Sequence, residues 1–125
     1  MAGAAAASAT RMAWTGDPDI IDFTVLAELV GGNKAKMREF ALKFLASARQ
    51  DMAEVEAALE RKDLAALCAL GHHIKSPASM AGALGFAHLC QALEHSGDVE
   101  QARGIVSQLR PLLDRIGEQV DKELA

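Results

Sequence analysis

The sequence predicts an all-α protein, an antiparallel up-down four-helix bundle with an additional short N-terminal helix. Three observations predict it. Apolar residues recur at three- and four-residue spacing along most of the chain, the spacing that lines one face of a helix. Half of the 125 residues are apolar, yet only 4% are aromatic and tyrosine is absent, a balance that disfavours strands, which select aromatic and β-branched side chains. The breaks between the periodic runs are short and built from glycine and capping residues, so consecutive helices should lie side by side in opposite directions.

The elements follow in order. Residues 1–16 form an Ala-rich leader, expected to be flexible, and it lacks the basic start and leucine-rich segment of an export signal. Trp14 is expected to pack this segment against the bundle, and Met12, Met37, Met52 and Met80 to fill the core or its flanks. Residues 17–125 form the helical domain. A short helix from Asp22 to Val30, a lid on the bundle, turns Phe23, Leu26, Leu29 and Val30 inward and stops at Gly31 and Gly32. Asn33 caps a long helix to about Arg61, with Met37, Ala41, Phe44, Ala48, Met52, Val55 and Leu59 in a near-heptad stripe. Asp63 caps the next, which continues towards Met80 with Leu67, Leu70, Gly71, Ile74, Ala78 and Ala81 inward and a kink or local loosening expected at Pro77. A helix from Phe86 to about His95 buries Phe86, Leu89, Cys90 and Leu93. The last runs from Asp98 or Val99 to the C-terminus, burying Ile105, Leu109, Leu112, Ile116 and Val120, with a bend expected at Pro111.

Composition narrows the function. The net charge of −4 comes without a basic stripe interleaved with aromatics, which argues against nucleic acid as a partner. No apolar run reaches the ~20 residues that span a bilayer, and a cytoplasmic location is expected. Two cysteines do not make a secreted disulfide framework. If the helices carrying them form a hairpin near Gly82, Cys90 lies level with Ile74, too far from Cys68 for a bridge.

The chemistry concentrates between Leu67 and Glu94, LCALGHHIKSPASMAGALGFAHLCQALE. His72 lies about 200° around the helix from the buried Ile74 and so projects into water. Lys75 and Ser76, at i+3 and i+4, share its surface. His73 lies about 100° further round and flanks the group. Cys68 and His72 also have an i, i+4 spacing that can chelate a metal, but two ligands do not make a site, and no metal is expected. His88 and His95 are expected to face solvent.

The run His72, His73, Ile74, Lys75, then Gly82 and Ala83, then Cys90 and Glu94 resembles the signature of histidine-containing phosphotransfer (HPt) domains. The DFTVLAELVGG start followed by a long helix is similar to the family too. A glycine usually follows the lysine in that family; Ser76 and Pro77 stand here instead. The resemblance implies a phosphorelay intermediate of two-component signalling, with His72 as phosphoacceptor, Lys75 neutralising the phosphate charge and Ser76 as a hydrogen-bond donor. Glu94 is a candidate for orienting the imidazole, with an ordinary solvated helix residue as the other reading. Gly71, His73, Ser79 and Gly82 would form the docking surface, although the two glycines are equally read as sites of tight helix packing. The spacing to Lys75 favours His72 over His73, but leaves His73 open. The implied partners are response-regulator receiver domains and a hybrid sensor histidine kinase. No cofactor of its own is implied, since Mg²⁺ would sit in the receiver, and the chain would be a carrier without kinase activity. The alternative is a helical interaction module that binds a receiver without taking phosphate.

Overall fold

A computed structural model describes residues 16–125. The leader before Gly16 and the expected packing of Met12 and Trp14 lie outside the described residues. Five helices follow in order: α1 (Phe23–Leu29), α2 (Lys34–Glu60), α3 (Leu64–Met80), α4 (Leu84–Glu94) and α5 (Val99–Leu124). No helix among the described residues is long and apolar enough to cross a membrane.

Each start has a local cause. The side chains of Asp22, Asn33, Asp63 and Asp98 accept hydrogen bonds from the backbone amides of Thr24, Lys36, Ala66 and Gln101. Each thereby satisfies one of the orphan donors in a first helical turn. α4 alone among the five has an apolar cap residue, Ala83, and no side-chain cap bond. Its start is set instead by Gly82, whose φ of +83° turns the chain sharply enough for α4 to begin at Leu84, two residues before the expected Phe86.

The four long helices pack in a ring, α2 on α3, α3 on α4, α4 on α5 and α5 back on α2, with α1 laid across α2 and α3. Pairings across the helices give their directions. Glu56 of α2 pairs with Arg110 of α5, and seven residues earlier Arg49 reaches Gly117, seven residues later. α2 and α5 are therefore antiparallel. His73 faces Asp51 across the 61–63 turn and Gly71 faces Cys90 and Glu94 across the 81–83 turn, so the neighbours α2–α3 and α3–α4 are antiparallel as well.

The core is one cluster of aliphatic side chains around Phe23, Phe44 and Phe86. The rings of Phe44 and Phe86 meet edge to face at 6.1 Å between centroids, a favoured aromatic geometry. Most of the expected stripe is inside, including Met37, Met52, Leu67, Ile74, Leu93 and Leu109. Leu29 is the clear departure: it is 46% exposed, because α1 is a single short helix lying over two others and its last turn overhangs them. Leu59, Leu70, Leu89, Ile105, Leu112 and Val30 pack on the rim of the core. Met80, expected at the core or its flank, is 50% exposed at the α3–α4 turn.

Neither proline ends its helix. α3 continues through Pro77 to Met80 and α5 through Pro111. Pro77 and His73 are both on the exposed side of α3, the side on which a carbonyl that loses its amide partner can turn to water.

Candidate functional site

His72 and His73 sit mid-way along α3, where the helix passes between α2 and α4. His72 points to the α4 side. Its Nδ1 lies 2.6 Å from Glu94 Oε2, and the ammonium of Lys75, one turn on, donates to the other carboxylate oxygen, Oε1, at 2.5 Å. One carboxylate thus ties two cationic or donor groups of α3 to the end of α4.

Gly71 is what permits this. A Cβ at that position would stand 2.5 Å from the carbonyl oxygen of Cys90 and 2.7 Å from the amide nitrogen of Glu94, well inside van der Waals contact. The two backbones touch where any other residue would hold them apart, and the carboxylate is delivered to the residue next in sequence. Gly71 and Gly82 are buried. Gly82 lies against the Asp22 carbonyl and receives, through its own carbonyl, the Asp22 amide at 2.8 Å. Of the two readings of these glycines, their burial and close backbone contacts fit tight helix packing. His73 and Ser79 are exposed.

The electrostatics follow from the contacts. The hydrogen bond from Lys75 holds the Glu94 carboxyl below the usual carboxylate range, with the His72 contact acting the same way and desolvation opposing both. An ionised carboxylate only accepts hydrogen bonds. The His72 ring nitrogen facing it must therefore be the protonated one, which places the lone pair of the neutral imidazole on Nε2. Nε2 makes no hydrogen bond among the described residues, and the side chain is 68% exposed. An open ring nitrogen, a carboxylate on the other ring nitrogen and a neighbouring cation thus share one surface group.

Ser76 and Ser79 line, with Lys75, Met80, His88 and Gln91, an open groove of about 510 Å³ between α3 and α4. Cys68 donates to the Ser96 carbonyl at 3.7 Å, and neither cysteine is in a disulfide. Burial pushes the Cys90 thiol up to about 12, with the Asp51 charge adding to it. Among the described residues, no three His, Cys, Asp or Glu side chains cluster as a metal site would require.

Two neighbours were not assigned to this group from the sequence. His95 places its Nε2 3.9 Å from Glu94 Oε1. Asp51, on α2, places Oδ2 3.9 Å from His73 Nε2; desolvation raises its carboxyl, the His73 charge lowers it and Glu54 raises it further. Asp51 had one legible sign, a carboxylate immediately before the inward Met52, on the border of the apolar stripe.

A curated relative, multistep phosphorelay regulator 1 of Schizosaccharomyces pombe, is 26% identical over 94 residues, covering 72% of this chain and 32% of its own length. The chain thus spans about a third of the curated relative it matches. No solved structure matches it with significance. The Hpt domain family matches residues 39–119, a span that holds the histidine doublet, Lys75, Glu94 and most of the four-helix ring, and on that match the chain belongs to the Hpt domain family.

Proposed function

We propose that the chain is a phosphorelay intermediate of two-component signalling, in which His72 accepts a phosphoryl group from the phosphoaspartate of a response-regulator receiver domain and passes it to, or returns it from, another. The observation that carries the reading is the Glu94 contact on Nδ1, which leaves an exposed Nε2 with the lone pair. The relative's name, a multistep phosphorelay regulator, supports the same role.

The step is a simple displacement. The Nε2 lone pair attacks phosphorus, the bond from phosphorus to the aspartyl oxygen breaks, and the aspartate leaves as a carboxylate. The imidazole becomes a phosphorylated imidazolium whose Nδ1–H stays on Glu94. That carboxylate stabilises the positive charge as it forms, and Lys75, bound to its other oxygen, makes it too weak a base to remove the proton. Keeping the proton on Nδ1 keeps the ring a good leaving group for the return transfer. Lys75 also offsets charge on the phosphoryl oxygens, and Ser76 donates a hydrogen bond to them. In this scheme the receiver supplies Mg²⁺ and the chain needs no cofactor of its own. Phosphate enters from a hybrid sensor histidine kinase, and the chain itself acts as a cytoplasmic carrier rather than a kinase. Contacts with each receiver are transient, since a relay partner must leave after transfer.

Incubation with a phosphorylated receiver tests this. The expected product is an acid-labile, alkali-stable label on the chain, lost in His72→Ala and retained in His73→Ala. Lys75→Ala should slow transfer and leave the helical circular dichroism unchanged. A chain that binds the receiver and takes no label would be an interaction module instead.

A further inference from the structure

We infer that Asp51 decides which histidine of the doublet accepts the phosphoryl group, by closing Nε2 of His73 to an anionic donor. The inference rests on the reading of His72 as phosphoacceptor and names the residue that enforces it.

Exposure does not separate the two histidines, since each side chain is 68% exposed. What separates them is the nitrogen each shows to a carboxylate. His72 turns Nδ1 to Glu94 and keeps Nε2 open. His73 turns Nε2 to Asp51 Oδ2 at 3.9 Å. Nε2 is the nitrogen remote from the backbone and the less crowded nucleophile of an imidazole; Nδ1 sits beside the ring's own Cβ. At His73 the accessible nitrogen is thus the one fronted by an anion. A phosphoryl donor carries negative charge on its oxygens, and reaching His73 Nε2 would bring those oxygens against the carboxylate in a partly desolvated setting. The carboxylate also favours the tautomer with hydrogen on Nε2, which removes the lone pair from that atom.

Asp51 cannot easily turn aside. Its side chain is only 14% exposed, held on α2 beside the buried Met52. Among the described residues, the other titratable groups that interact with it are Glu54 on its own helix and the Cys90 thiol of α4, and neither is a cation that would neutralise it. At His72 the corresponding carboxylate, Glu94, is neutralised by Lys75. A carboxylate beside an imidazole therefore activates one histidine and shields the other, according to which ring nitrogen faces it.

Phosphoramidate tests this without a receiver: the imidazole lone pair attacks phosphorus, the P–N bond breaks and ammonia leaves. The parent chain, His72→Ala, and the double variants of His72→Ala with Asp51→Asn or Asp51→Ala would be treated in parallel, checked for folding by circular dichroism, and mapped by peptide mass spectrometry and ³¹P NMR. The parent should be labelled at His72 and His72→Ala hardly at all. The double variants should gain at least tenfold in label at His73 over His72→Ala. Strong labelling of His73 while Asp51 is intact would overturn the inference, and so would folded double variants that stay unlabelled. The same four proteins treated with a phosphorylated receiver separate the two readings: the phosphoramidate pattern without any receiver transfer to the parent would reject the relay role and leave the selection by Asp51 standing.

Discussion

Replacing Gly71 by alanine tests the link between helix packing and the site most directly. In an isolated helix the change is stabilising, by about 0.5–1 kcal/mol, because glycine has the greater backbone freedom to lose. Here the new methyl carbon would meet two backbone atoms of α4, the Cys90 carbonyl oxygen at 2.5 Å and the Glu94 amide nitrogen at 2.7 Å. Ordinary contact needs a further ~1 Å, and backbone cannot rotate away as a side chain can. Overpacking of this kind costs about 1–3 kcal/mol, so a net loss of about 1–2 kcal/mol is expected. The same displacement carries Glu94 away from His72 and Lys75, whose contacts of 2.6 and 2.5 Å leave hydrogen-bonding range when stretched by ~1 Å. Urea denaturation gives the stability, and His72 Nδ1–H exchange and the rate of label uptake give the state of the site. Gly104→Ala is the control, since nothing lies within 4 Å of a Cβ there. It should stabilise by about 0.5–1 kcal/mol. If Gly71→Ala stabilised the chain as Gly104→Ala does, with transfer unimpaired, the close α3–α4 approach would not be what positions Glu94.

Three further outcomes are expected. Glu94 has its folded carboxyl depressed by Lys75 and His72, so its contribution is present above the ordinary glutamate range near pH ~4.3 and is lost as pH falls below it; the drop in melting temperature between pH 6 and pH 3 should be smaller in Glu94→Gln than in the parent. Phe86→Ala removes a fully buried ring that meets Phe44 edge to face and should cost about 3–5 kcal/mol in urea denaturation. Asp98→Ala removes the cap bond to Gln101 N and should cost about 1 kcal/mol, with amide exchange faster in the first turn of α5 than elsewhere.

Much of this molecule was legible in order along the chain. Asn33 and Asp63 cap helices as their side-chain chemistry requires, Gly31 and Gly32 end α1 with φ of +66° and +79°, and the apolar stripe from Met37 to Val55 is buried. These are local properties, fixed within one helical turn. The grouping of His72, Lys75 and Ser76 on one surface is also local, and the resemblance to HPt domains rested on it. Leu29 shows where local reasoning stops: its periodicity says inward, but among the described residues nothing covers it at the last turn of α1.

The sequence by itself determined the order of the helices, the Asn33 and Asp63 caps and the single-helix half of the site. Tertiary structure decided what stands opposite. Gly71 reads from the sequence equally as room for a partner or room for a helix; only the contact with Cys90 and Glu94 resolves it, and only that contact sets the spacing that puts Glu94 on Nδ1. Asp51 and His73 are 22 residues apart and meet through the register of α2 on α3, which no short-range pattern encodes. Which nitrogen of each histidine faces an anion depends on distances of a few ångströms between helices. The pairing of charges between helices, rather than within one, is what distinguishes the two histidines of the doublet.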